Sequence, residues 1–349
     1  MYAPILLALL ACTRPTDDTT TSDTTVTDGI EPVDSATGDT ASTSTTPTGS
    51  TATTGTTATT GSTGDTAEGF DCTAPWPKTP TNLAELADFS TAEDFDFDAD
   101  GYVVSIQSSN LRGKDFYGNT KFISPSVSNG AAGTRVLKTG DFVVADVSTG
   151  SIVLVDAVTG GKEVILSGLA YPNGLEVDED DNVYIGENSG DRVIRVNAYD
   201  PTDVEVIAQG LREPNGVILS PDGQTIYVGS FGGGKIYAVD RDPKGDGWLP
   251  YRTFYDPKNR DGGFDGINVD ICGNVYITEF TTGKIYRVSA DGTRQGEVVT
   301  LDSFWIPNLR WGTGTGGTDP DTLYVADRDR GRLFAVTPGI PGKPHILAP

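Results

Sequence analysis

Residues 213–240 read EPNGVILSPDGQTIYVGSFGGGKIYAVD, and this stretch decides the fold. It opens on Pro214-Asn215-Gly216, runs through an apolar segment from Val217 to Leu219, and turns at Ser220-Pro221-Asp222-Gly223. Two more segments follow, Thr225 to Gly229 and Lys235 to Asp240. Apolar and polar residues alternate at period two in each, the mark of a β-strand, while Asn, Asp, Gly and Pro supply the turns. Asn215 stands just ahead of the first strand.

Working outward, the same pattern recurs. It appears at Asp94 to Val104, weakly around Val136 to Asp156, at Pro172 to Asp178, at Phe264 to Asp270, and at Ile306 to Leu309. With the opening stretch there are six copies, and the spacings Asn173–Asn215, Asn215–Asp265 and Asp265–Asn308 are 42, 50 and 43 residues. Four-stranded β patterns at roughly 40–50 residues are propeller blades. Four copies also close alike, with a basic residue leading a β-rich strand: Arg192 to Val196, Lys235 to Val239, Lys284 to Val288 and Arg332 to Val336. The fold class expected is all-β, a six-bladed β-propeller over residues 71–349. Seven blades would leave too little chain for each, and a sandwich would not repeat at this spacing.

The 349 residues carry a net charge of −24, and the chain divides unevenly. Of the 58 residues 13–70, 23 are Thr, and nine Asp or Glu stand against a single Arg. Such a segment lacks the apolar surface to offset backbone entropy and is expected to be a disordered linker. The acidity of both parts excludes nucleic acid and an electrostatic hold on anionic lipid; it suits a soluble extracytoplasmic protein or one that collects cations. Residues 1–12, MYAPILLALLAC, are apolar but too short to span a bilayer. They end in Leu9-Leu10-Ala11-Cys12, which resembles the lipobox of bacterial lipoproteins and implies lipidation at Cys12, with the linker as a tether to the cell envelope, periplasmic or at the cell surface. No Lys or Arg precedes the apolar run, so a secretory signal peptide and a secreted protein are the alternative.

Cys72 and Cys272 are the other two cysteines, either a disulfide pinning the entry segment to the fifth repeat or two free thiols. Asn82 with Glu85 three residues on reads as a capping box for one short helix through Ala87.

In a propeller the innermost strand of every blade lines a central channel, so residues at the head of those strands converge. These are Glu93 or Asp94, Asn173, Asn215, Asp265 and Asn308. Carboxylate and amide oxygens are hard ligands that suit Ca²⁺, with another divalent cation possible; zinc and copper are disfavoured because His345 is the one histidine. Singly, each such Asn-Gly or Asp-Gly is an ordinary turn, and it is their equivalence that points to a shared ion.

Residues 93–336 resemble the calcium-dependent six-bladed propellers that include gluconolactonases, the senescence marker protein, luciferin-regenerating enzyme, the squid-type organophosphatase and the paraoxonases. Pro214-Asn215-Gly216, Leu219-Ser220-Pro221-Asp222-Gly223 and Ile226-Tyr227-Val228 carry the resemblance. It implies Glu93, Asn173, Asn215 and Asp265 as Ca²⁺ ligands, with Asp265 the catalytic group that activates water or attacks directly. Two departures stand out. The sugar lactonases carry Arg where Tyr171 stands, and the paraoxonase-like members use a His pair that this chain lacks.

Pocket walls are expected from Asn188, Phe231, Glu279, Phe280, Trp305, Asn308 and Arg310, beside Trp311, although aromatics between blades commonly serve packing. The function expected is a monomeric, envelope-anchored, calcium-dependent hydrolase of lactones or related esters, acting on a small molecule and meeting the membrane through its N-terminal lipid alone. The alternative is a non-catalytic calcium-stabilised propeller that binds a protein or small-molecule partner, and a metal-free repeat scaffold is a third reading.

Overall fold

The computed structural model describes residues 70–349, except 79, 81, 87, 88, 90, 91, 246, 259, 260 and 349. The signal segment 1–12 with Cys12, and the linker up to residue 69, lie outside the described residues.

β1 (Asn82–Leu86) precedes blade one, which is β2 (Phe95–Phe97), β3 (Val103–Gln107), β4 (Asn110–Lys114) and β5 (Thr120–Ser124). Blade two is β6 (Ala131–Val136), β7 (Phe142–Asp146), β8 (Ser151–Val155) and β9 (Lys162–Leu166). Blade three is β10 (Pro172–Val177), β11 (Asn182–Glu187), β12 (Arg192–Asn197) and β13 (Glu205–Gln209). Blade four is β14 (Pro214–Leu219), β15 (Thr225–Ser230), β16 (Lys235–Asp240) and β17 (Arg252–Tyr255). Blade five is β18 (Phe264–Val269), β19 (Val275–Glu279), β20 (Lys284–Val288) and β21 (Gln295–Thr300). Blade six takes β22 (Leu309–Trp311), β23 (Leu323–Asp327) and β24 (Arg332–Thr337), with β1 as its outer strand.

That last pairing corrects the helix expected from Asn82. β1 runs antiparallel to β24 over Asn82–Thr337 to Leu86–Leu333. Ala84 and Leu86, two apart, pack on the cluster between blades six and one, whereas Leu83 is exposed. The open edge of β24 needs a partner, and filling it joins the two ends of the propeller; this tertiary demand overrides a local capping signal. Cys72 and Cys272 form a disulfide that ties the entry segment to the β18–β19 turn. Trp76 lies under the guanidinium groups of Arg287 and Arg294 of blade five.

The core is a ring of six interfaces. Six apolar clusters each join two neighbouring blades: Val183 and Ile185 of β11 face blade two, while Tyr184 between them faces blade four. Strands buried on both faces read as continuous apolar runs, and each fully buried Ile, Val or Leu contributes about 1.5–3 kcal/mol. Much of the acidity serves turns at one end of the channel. Asp98, Asp178 and Asp270 each accept backbone N–H groups two and four residues on, at 2.9–3.0 Å.

The C-terminal segment crosses that same end. Lys343 N donates to Val269 O at 3.1 Å. Lys343 Nζ reaches Glu176 Oε1 at 3.0 Å, and His345 Nε2 lies 3.0 Å from Asp96 Oδ1. A cavity of about 440 Å³ remains beside it, lined by Asp96, Arg135, Glu176, Asn268, Arg310 and His345 among others.

Candidate active site

At the opposite end, the Asn-Gly and Asp-Gly pairs do not form turns. Pro214-Asn215-Gly216 lies within β14, Pro172-Asn173-Gly174 within β10 and Phe264-Asp265-Gly266 within β18, each at a β-bulge. The glycines serve close approach between blades. A Cβ on Gly133 would sit 2.4 Å from Asn173 O, one on Gly174 2.1 Å from Asn215 O, and one on Gly216 2.4 Å from Asp265 O. On Gly266 it would sit 2.5 Å from the Cα of Asn308. From blade two to blade six, the inner strands therefore touch in sequence at the level of the candidate ligands. Backbone at this separation admits only glycine.

Asn173, Asn215 and Asp265 are buried, and among the described residues their side chains have no hydrogen-bond partner. Asn308 Oδ1 accepts from Leu309 N at 2.9 Å. The choice between Glu93 and Asp94 follows from their bonds. Both Asp94 oxygens are committed, Oδ1 to Phe95 N at 2.8 Å and Oδ2 to Thr134 N at 3.0 Å and to Arg135 Nη1 at 2.5 Å. Glu93 keeps acceptor capacity and pairs with Arg328.

The electrostatics fit a cation. Burial drives the Asp265 carboxyl well above the usual range, and the charges of Glu93 and Asp94 add to that, against Arg328. Burial also raises Glu93, while Arg328 opposes. Asp94 is pushed up to about 7, chiefly by burial and against Arg135. Carboxylates crowded in this way favour protonation or a bound cation. The side chains of Asn173, Asn215 and Asp265, with the Glu93 carboxylate that Arg328 balances, make two carboxylates and two amides, a donor set that fits a hard ion such as Ca²⁺. Among the described residues, no three or more His, Cys, Asp and Glu side chains gather as a metal-holding group, so such a site depends on the two amides.

Four mouth loops are placed by similar hydrogen bonds, each from the residue after a second strand to the segment leading into an inner strand. Asn188 N donates to Tyr171 O at 2.9 Å, Phe231 N to Glu213 O at 2.9 Å, and Phe280 N to Gly263 O at 3.0 Å. Arg328 N donates to Trp305 O at 3.0 Å. Asn188, Phe231, Phe280 and Trp305 thus stand at the mouth. Two of the expected wall residues lie elsewhere. Glu279 is fully buried and accepts from Asp261 N, Gly262 N and the Thr282 hydroxyl at 2.7–3.1 Å, so its carboxylate holds a loop. Asp146 and Asp327, which also end second strands, bind loop backbone in the same way. Arg310 lies deeper in the channel, 3.6 Å from Asp94, because it follows Asn308 by two residues along an inward-facing strand.

Arg328 did not emerge from the sequence as a site residue. Its blade equivalents are Asn188, Phe231 and Phe280, and that alignment is the signal that finds it. Tyr171 adopts φ 62° immediately before Pro172, a left-handed backbone rarely held by a bulky residue. Its hydroxyl pKa is raised by burial and by the charges of Glu93 and Asp265.

Residues 114–328 match the family model described as the SMP-30/Gluconolactonase/LRE-like region. A gluconolactonase of Zymomonas mobilis is 30% identical over 193 residues, 47% of this chain and 52% of that protein, so the chain spans about half the length of this curated relative. Among solved structures, a gluconolactonase from Xanthomonas campestris superposes with a TM-score of 0.60 at 19% identity, covering 74% of this chain and 89% of that one. A luciferin-regenerating enzyme superposes at 0.58 and 17% identity, covering 76% and 98%. An auxiliary nutrient binding protein from Bacteroides ovatus superposes at 0.58 and 13% identity, covering 72% and 69%. At these identities the superpositions speak to the fold, whereas the family match spans most of the chain: this propeller belongs to the SMP-30/gluconolactonase/LRE-like family.

Proposed function

We propose that the protein is a Ca²⁺-dependent hydrolase of lactones or related esters, held at the bacterial cell envelope through Cys12. The observation that carries the hydrolase reading is the set of buried side chains Asn173, Asn215 and Asp265, which have no hydrogen-bond partner among the described residues, with Glu93 as the second carboxylate. Those four residues would hold the ion. When bound, it supplies Lewis acidity toward a carbonyl oxygen and stabilises the negative charge that develops there.

The chain's own groups supply the rest. Asp265, the buried carboxyl of the set, is the group for a general base or nucleophile there. It takes the proton of an attacking water, or attacks the carbonyl carbon itself. Arg328 offsets the charge of Glu93 while that carboxylate is without an ion. The mouth loops shield the reacting centre from bulk water.

A panel of lactones and esters assayed with and without chelator tests the proposal, with Asp265→Asn as the second arm. Turnover is expected to disappear with chelator and to fall by at least about 10³-fold in Asp265→Asn, with an unchanged circular dichroism spectrum. Hydrolysis that survives that substitution defeats the mechanism. The binding alternative has one observation in its favour, the Bacteroides nutrient binding protein on the same fold. It predicts a chelator-sensitive melting temperature with no turnover of any member of the panel. Mass spectrometry of the mature N-terminus tests the envelope anchor, for which a lipidated Cys12 is the expected result.

A further inference from the structure

At the end of the channel crossed by the C-terminal segment, buried hydrogen-bond donors lack acceptors. Among the described residues, seven buried side-chain nitrogen or oxygen atoms have no hydrogen-bond partner, and four of them belong to residues that line the cavity of about 440 Å³. They are Arg135 Nε, Arg310 Nε, Arg310 Nη2 and Trp311 Nε1. All four are N–H donors, so what the wall lacks is an acceptor. Arg135, Arg310 and Trp311 are 3%, 4% and 3% exposed, and their polar atoms therefore depend on what enters the cavity.

The carboxylates nearby do not meet that need. Among the described residues Asp94 is the one carboxylate within 4 Å of either guanidinium, and it serves both: Oδ2 faces Arg135 Nη1, and Oδ1 lies 3.6 Å from Arg310 Nη2. Asp96 binds Phe97 N, Val136 N and His345, and Glu176 binds Lys343. Arg310 Nη1 donates to Leu309 O at 2.9 Å, which leaves the Nε–Nη2 edge open. That edge is the one with which a guanidinium grips a carboxylate through two parallel bonds. Two other arginines of this chain show the grip: Arg192 on Glu187 at 3.2 and 3.0 Å, and Arg252 on Asp240 at 3.0 and 3.3 Å. Arg310 has the same edge without a carboxylate bonded to it.

We propose that this cavity is a binding site for a small carboxylate anion, its two oxygens held by Nε and Nη2 of Arg310, with Arg135 Nε as a further donor. Nothing in this depends on Asp265 or on a bound cation, so the site stands apart from the hydrolase reading. The volume falls in the range of small-molecule sites and exceeds what a single halide ion fills. The charge of the ligand follows from the rest of the lining. Asp178, Glu179, Asp180 and Asp222 stand there against Arg241 and Lys343, so a dianion such as phosphate meets more repulsion than a monoanion does.

The full chain, labelled with ¹⁵N-arginine and kept in saturating Ca²⁺, is titrated with sodium acetate at constant ionic strength, with the arginine Nε–H resonances as the readout. The slowly exchanging resonances of Arg135 and Arg310 should shift saturably with a Kd of about 1 mM, and equally so without Ca²⁺. Acetamide, which has the shape without the charge, should leave them in place. Inorganic phosphate and chloride should each bind at least about tenfold more weakly than acetate. Arg310→Lys keeps a charge but loses the fork, and should weaken acetate binding at least about tenfold. The titration of the parent needs no substitution, so it decides the matter even where that buried variant does not fold. Resonances that stay unshifted at acetate concentrations far above the expected Kd overturn the inference, and ordered water is then what meets the donors. Phosphate or chloride binding as tightly as acetate, or a shift confined to Arg328 at the mouth and identified by Arg328→Lys, overturns it as well.

Discussion

Replacing Gly174 by Ala tests whether the inner strands are held by contact at the ligand level. The added Cβ would lie 2.1 Å from Asn215 O and 2.8 Å from the Cα of Gly216, both backbone atoms that cannot swing aside. Ordinary contact needs about 3.4 Å, so β10 and β14 have to part by more than an ångström at that point. Overpacking of this kind costs about 1–3 kcal/mol, with the upper part of the range expected because no rotamer relieves it. The matched control is Gly296→Ala in β21, where nothing lies within 4 Å and φ is not left-handed. There the substitution should be neutral or stabilising by about 0.5 kcal/mol, through lost freedom of the unfolded chain. At roughly 2 °C per kcal/mol for a domain of this size, Gly174→Ala should melt about 4–6 °C below the parent and Gly296→Ala at or slightly above it, by scanning calorimetry. Calcium affinity, read by isothermal titration, should fall in the first and hold in the second, since Asn173 and Asn215 flank the strained contact. Equal melting temperatures and affinities in the two variants would refute the account of the glycines.

Proton linkage gives a second prediction. Asp265 and Glu93 are raised by burial, so in the cation-free protein they retain protons below their elevated values, and the stability that this confers is lost as pH rises through them. Calcium needs the ionised forms, so its affinity should increase as pH rises above the ordinary carboxylate range, with proton release at the acid end; a pH-independent affinity contradicts the assignment. The Cys72–Cys272 bridge closes a loop of sequence separation 200, and replacing both by Ser should cost about 2–5 kcal/mol, seen as a lower denaturation midpoint under non-reducing conditions. An unchanged midpoint argues against it. Deleting residues 1–86 bares the edge of β24, and size-exclusion chromatography should then show aggregates, whereas a stable monomer would mean that β1 is dispensable.

The six blades were legible because period-two alternation and turn residues recur at near-constant spacing, and alternation follows directly from strand geometry. The outer strand of blade six was not legible, because Asn82 and Glu85 carry a local helix signal while the reason for β1 is an edge 247 residues further on, where Arg332 reaches Glu85. Glycine was read for the wrong property. In sequence, Asn-Gly suggests a turn; in the folded ring, Gly174 and Gly216 are narrow points between neighbouring strands, a demand that no local pattern displays. Glu279 and Phe280 show the same limit from the other side. They are adjacent at the end of one strand and look equally suited to a pocket, yet alternation turns Glu279 inward to hold loop backbone and leaves Phe280 at the mouth. Arg328 is the complementary case, since its importance depends on Glu93, 235 residues earlier, coming to rest beside it when the last blade closes against the first. Closure of the ring therefore does more than complete the fold. It brings the acidic head of blade one against the basic loop of blade six, whose Arg328 N also bonds Trp305 O, so closure joins the charged pair to an aromatic loop at the same mouth.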